Sequence, residues 1–157
     1  MPTVNAWQFK TADGGCEENL FLMKPNVADN QVLAVVFATA LNPVNYKLPE
    51  MGLVAKLIFP SPYTPVRDFC GNVVQRGTKA TSFQAGEIVF GTYVGTSGQG
   101  TFTQCVSLSE ETIVSMPEGL RVGYAASISM VGLTAYQTVK QYVKRVTESS
   151  SWQIWRH

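Results

Sequence analysis

Histidine is almost missing from this chain. The only one is His157, the last of 157 residues. A serine or cysteine nucleophile needs a base within hydrogen-bond reach, most often an imidazole, so triad chemistry has no obvious base to use. Cysteine is scarce too. Cys16, Cys70 and Cys105 are odd in number and far apart, and no C-x-x-C pair occurs. A disulfide framework is therefore not expected, nor is a structural zinc site, which needs several ligands set close together. Buried, small apolar roles suit the three thiols better, and no metal is expected. Charge of one sign is lacking as well: twelve basic residues against eleven acidic ones leave a formal net charge of +1, which offers no field to steer nucleic acid or anionic lipid. The longest apolar run, Val32 to Leu41, is about half of a membrane span. The opening "MPTVNAWQFK" lacks the basic-then-apolar layout of a signal peptide. A cytoplasmic protein with no nucleic-acid or membrane partner is expected.

Hydrophobic residues make up 45% of the chain and charged residues 15%, a globular composition large enough for one cored domain. The first half reads as strands. Val4–Lys10 and Asn19–Lys24 flank Asp13-Gly14-Gly15 and predict a hairpin. Gln31–Leu41 predicts a long, buried strand, stopped by Asn42-Pro43, after which one helical turn can form. Residues 53–66 carry Pro60, Pro62 and Pro65 and read as loop or edge. Short glycine-separated strands follow in "GNVVQRG", "GEIVFGTYVG", "GTFTQCVSL" and "ETIVSMP", the pattern of an antiparallel barrel. From Tyr124 to Val146 the apolar period changes to three and four, through Ala125, Ile128, Val131, Leu133, Tyr136, Val139 and Val143. That predicts one helix or two abutting ones.

Local chemistry signals are thin. Glu17-Glu18 and Glu110-Glu111 fall in turn-like stretches and read as solvated turns. Gly91–Gly100 is glycine-rich but lacks the Gly-Lys-Ser/Thr ending of a phosphate loop and is followed by a strand pattern. It reads as a hairpin loop. No G-x-G-x-x-G between strand and helix is present.

Three stretches say more together: "LNPVNYKLPE" (41–50), "TPVRDFCGNVV" (64–74) and "MVGLTAYQTV" (130–139), with F-x-x-G-E-I-V-F-G and G-x-F-x-x-C in order between the last two. From residue 4 to about residue 146 the ordered set resembles the zinc-free quinone-oxidoreductase and trans-acting enoyl-reductase branch of the medium-chain dehydrogenase/reductases, of the type found in fungal secondary metabolism.

The resemblance implies a mainly β, GroES-like, partly open barrel over residues 1–146, closed by a C-terminal helix, with 147–157 as an atypical tail. It implies NADPH-dependent reduction of an activated double bond or quinone. By motif position Tyr46 and Lys47 would be catalytic, Asn42 and Thr134 would face the cofactor, and Asn45 and Tyr136 the substrate. Asp68 and Gly71 would fix a turn beneath the cleft. Asn45 stands where the family pattern has aspartate, which removes a charge. Asn42 also has a plain structural role open to it, as a cap before Pro43, and Thr134 as an ordinary helix residue.

In the family a Rossmann domain follows this helix and holds the dinucleotide. Here "SSSWQIWRH" stands where its first strand would begin. The expectation is that this chain alone binds no NADPH tightly. Three explanations stay open. The chain is a shortened form of a longer reductase, or a stand-alone non-redox isomerase, cyclase or binding protein for a small apolar or polyketide-like molecule. Alternatively it is a module that oligomerises through the former domain interface, with Trp152, Ile154 and Trp155 helping to cover it.

Overall fold

The computed structural model describes residues 3–10, 15–51, 62–95 and 98–149. Asp13, Gly14, most of 53–66 and the tryptophan-bearing tail lie outside them. Among the described residues seven strands and two α-helices run in the order β1 (Thr3–Phe9), β2 (Cys16–Met23), β3 (Gln31–Ala40), α1 (Pro43–Glu50), β4 (Asp68–Arg76), β5 (Ile88–Thr92), β6 (Cys105–Ser109), β7 (Ile113–Ser115) and α2 (Val122–Ser149).

β1 and β2 pair antiparallel, as the hairpin pattern predicts. The other five strands form one antiparallel sheet in the order β6-β3-β4-β5-β7. Bridges from Ala6 to Thr103 and from Phe9 to Tyr63, with Trp7 N–H donating to Phe102 O at 2.9 Å, bring β1 against the approach to β6. The result is a partly open barrel. Its interior is filled by Val32, Ala34, Phe69, Val73, Val89, Val106, Leu108 and Ile113. A second cluster of Cys70, Ala125 and Ala126 lies between β4 and α2. The two clusters follow from strand alternation: Phe69 and Val73 face the barrel, while Cys70 faces the helix.

Several expectations need correcting. α1 has eight residues rather than one turn. Asp68 and Gly71 lie within β4, not in a turn. Glu17 and Glu18 are in β2, and Glu17 pairs with Lys10. Glu110 does lie in a turn, of 3-10 form, but its carboxylate is engaged rather than merely solvated: it accepts from the backbone N–H of Thr81 (3.1 Å) and Ser82 (2.7 Å), clasping that loop. Gly91–Gly100 is not a hairpin loop, because β5 pairs with β4 and β7 whereas β6 pairs with β3. It is a crossover, and its Gly100 is demanded by close packing: a Cβ there would lie 2.1 Å from Thr64 O.

The C-terminal segment is one continuous helix, but its apolar period is not buried. Ala125 and Ala126 are covered, while Ile128, Val131, Leu133, Tyr136, Val139, Tyr142 and Val143 are exposed. At 1.5 Å per residue α2 is about 42 Å long, and only its first turns rest on the sheet. Among the described residues no helix is long and apolar enough to cross a membrane.

Candidate functional site

The N-terminus of α1 is where the candidate residues gather. Pro43 takes the first helical position, where its missing N–H costs nothing. Asn42 precedes it as the cap. Three residues on, Asn45 turns back, and its Oδ1 accepts the Asn42 backbone N–H at 2.6 Å. This is half of a capping box. Both asparagines are buried. Asn45 therefore makes this cap with a neutral amide. Replacing Asn45 with alanine should cost about 1 kcal/mol through the lost capping bond, whereas Asn45→Asp should remain closer to the parent. Thermal melts of the two variants check this.

The Asn42 side chain reaches further. Its Nδ2 donates to Asp68 Oδ2 at 3.0 Å, and the Met130 backbone N–H donates to the same oxygen at 3.2 Å. Thr134 Oγ1 in turn donates to Met130 O at 2.7 Å. A buried carboxyl at the start of β4 thus ties α1 to α2. Burial pushes the Asp68 carboxyl above the usual range, against the opposing pull of Thr92, Asn42 and Met130.

The six expected site residues do not surround one cleft. Asn42, Asn45 and Thr134 are linked through Asp68 and Met130. Tyr46 and Lys47 project from α1 into solvent, with Tyr46 58% exposed. Tyr136 is exposed on α2, and the Lys140 ammonium lies 5.4 Å from its ring centre. Asn45 lines a cleft with Tyr63, Thr64, Val66, Arg67 and Gly95. Thr134 lines a separate groove with Gln137, Thr138, Gln141 and Tyr142.

Arg67 was not among the expected residues. Its Nη1 donates to Tyr93 O and Gly95 O, both at 3.1 Å, and its guanidinium lies 6.0 Å from the Tyr93 ring centre. Its signal was a lone basic residue inside the apolar "TPVRDFC". The preceding Val66 is held at a φ of 68°, a conformation that a β-branched residue adopts only under strain. Among the described residues no three metal-ligating side chains come together.

The start of α1 and the crossover offer no cradle for the pyrophosphate of a dinucleotide. Its pyrophosphate needs open N–H groups at a helix start behind a glycine-rich turn. The start of α1 is closed by Asn45, and the glycine-rich crossover joins two strands. Its glycines meet their own chain, with a Cβ on Gly95 lying 2.5 Å from the Tyr93 hydroxyl.

A partly open antiparallel barrel with one helix laid across its sheet is a GroES-like domain. Residues 28–118 match the alcohol dehydrogenase GroES-like domain, and the chain belongs to that family. It is 37% identical over 155 residues to trans-enoyl reductase pgmF of Aspergillus terreus, covering 90% of this chain and 44% of the relative. It is 29% identical to a chloroplast envelope quinone oxidoreductase homolog of Arabidopsis thaliana, over 87% of this chain and 42% of the relative. The solved quinone oxidoreductase of Coxiella burnetii superimposes with a TM-score of 0.73 at 30% identity, covering 88% of this chain and 44% of that one. The chain thus spans less than half the length of these relatives, and among the described residues there is no Rossmann domain.

Proposed function

We propose that this chain forms the substrate-side domain of a zinc-free reductase that acts with NADPH on an activated double bond or a quinone, and that the 157 residues alone neither hold the dinucleotide tightly nor transfer hydride. The observation that carries this is the extent of the likeness: nine-tenths of this chain matches a trans-enoyl reductase, within 44% of that relative. The uncovered apolar residues of α2 support it, since a second domain packed there would bury them. The substrate class we propose is a small apolar or polyketide-like acyl chain.

In reductions of this class negative charge develops on the substrate's carbonyl oxygen. Positioned donors stabilise it. Tyr46 and Lys47 are two donors that α1 presents on its exposed side, and we assign them that role. Asn42 and Thr134 would border the nicotinamide, and Asn45 and Tyr136 the substrate.

The test is a chimera joining this chain through Ser149 to the nucleotide-binding half of the Aspergillus terreus relative. NADPH oxidation is then followed with an α,β-unsaturated thioester and with a quinone. Turnover is expected, and Tyr46→Phe or Lys47→Ala should lower kcat/KM by about 100-fold. A folded chimera that binds NADPH but reduces neither substrate would contradict the proposal. An active chimera in which both substitutions are silent would remove Tyr46 and Lys47 from the site.

A further inference from the structure

Asp68 is fully buried, yet one of its oxygens has no partner. Oδ2 takes the Asn42 amide and the Met130 N–H; Oδ1 takes nothing. On the adjacent strand Thr92 stands directly opposite Asp68 in the β4–β5 register, and the Thr92 Oγ1 is likewise buried and unpartnered. Two polar atoms without a well-formed hydrogen bond thus belong to one cross-strand pair, close enough that Thr92 already pulls on the Asp68 carboxyl.

Among the described residues the groups bonded to Asp68 are neutral. α1 offers the Asn42 amide and α2 the Met130 backbone N–H. β3 offers the Thr39 hydroxyl and the 98–103 crossover the Thr101 hydroxyl, both bonded to the Asp68 backbone carbonyl. β5 offers Thr92. Neighbouring Arg67 directs its guanidinium to the carbonyls of Tyr93 and Gly95. Cys70, two residues along, is a buried thiol that burial keeps protonated, and Lys47 of α1 is exposed. Among the described residues the ion pairs are Lys10–Glu17 and Lys79–Asp29, neither involving Asp68. A buried carboxylate without a countercharge is costly, and such groups take up a proton instead.

We propose that the buried Asp68 carboxyl, in its protonated form, donates its Oδ1–H to Thr92 Oγ1, and that this neutral group is the positioning residue holding the Asn42 cap of α1 to the Met130–Thr134 turn of α2. One proton satisfies both orphans, while Oδ2 keeps its two donors. Asparagine can imitate this arrangement: its carbonyl replaces Oδ2 and its NH₂ replaces the Oδ1–H. Alanine cannot.

The sign of the pH effect follows. Burial raises the folded-state value above the ordinary one of about 4. The folded state therefore keeps a proton that the unfolded chain releases. Stability from this group is complete below the unfolded value and is lost as pH rises toward the folded value.

The test uses the full 157-residue chain. The Asp68 carboxyl carbon is followed by NMR in ¹³C-aspartate-labelled protein and assigned by its absence in Asp68→Asn. Thermal melts across pH and amide exchange at Asn42 and Met130 are recorded for the parent, Asp68→Asn and Asp68→Ala. The expected result is a titration midpoint above that of exposed aspartates. Asp68→Asn should keep amide protection and lose the decline in stability with rising pH, and Asp68→Ala should exchange at least tenfold faster at both amides. A midpoint at or below the ordinary value would overturn the proposal, as would an Asp68→Asn variant as unprotected as Asp68→Ala. Neither NADPH nor substrate is involved, so failure here leaves the proposed function untouched.

Discussion

Gly71→Ala is expected to prevent the barrel from closing. Gly71 sits in β4 opposite Val36, beside the irregularity in register between Val36 and Ala38. A Cβ built on it would lie 2.2 Å from Val35 O and 3.0 Å from Val35 C. Both are backbone atoms of β3, the strand with which β4 makes its longest pairing. A flexible side chain could move aside; a central strand cannot shift without breaking ladder bonds and disturbing Val32, Ala34 and Phe69 in the core. Overpacking in a well-filled interior costs about 1–3 kcal/mol even where side chains can adjust. With backbone in the way, the loss should be about 3 kcal/mol or more, a large share of the stability of a small domain. Far-UV circular dichroism and a denaturant melt check it. Gly86→Ala is the useful contrast. Gly86 has open space around it but a φ of 98°, so it should suffer only local strain of about 1–2 kcal/mol.

These two glycines also mark how far the sequence could be read. The strands were legible wherever alternation and flanking turns agreed, as in β1, β3 and β5. The break at Asn42-Pro43 located the start of α1, and the change of period located α2. Pairing was not legible. Nothing local in Gly91–Gly100 says that β6 returns to β3 rather than turning back on β5, because that choice is made by contacts distant in the chain. The helical period of α2 was real, but a period says only that a helix has an apolar face. It does not say that this domain covers the face, and past the first turns it does not.

The candidate site divides in the same way. Asn42 and Asn45 were found through the family motif, with a cap before Pro43 as the plain alternative for Asn42 alone; the bond from Asn45 back to Asn42 shows only in the fold. Asp68 was placed by its motif but misjudged as a turn residue. Its burial and its link to Met130 depend on β4 and α2 meeting, which no local pattern encodes. Arg67 was missed because its role depends on the carbonyls of Tyr93 and Gly95, which are distant in the chain.

The largest expected effect concerns the electron donor. A reductase of this family needs its nicotinamide held against the substrate-side wall, and most of the dinucleotide's affinity is gained at its pyrophosphate and ribose. A charge-assisted hydrogen bond contributes about 1.5–3 kcal/mol, and each 1.4 kcal/mol is about tenfold in Kd. Losing three or four such bonds weakens binding by about three orders of magnitude or more. The described residues provide no substitute. The cap of α1 is closed on itself by Asn45, the glycines of the crossover pack on Thr64 and Tyr93, and Thr134 spends its hydroxyl hydrogen on Met130 O. What remains is one wall of a cleft.

Calorimetric titration of NADPH into the purified 157-residue chain tests this most directly. Binding no tighter than about millimolar is the result predicted by a chain that lacks a pyrophosphate cradle. Saturable binding in the low micromolar range, with NADPH oxidised by the chain unaided, would contradict it.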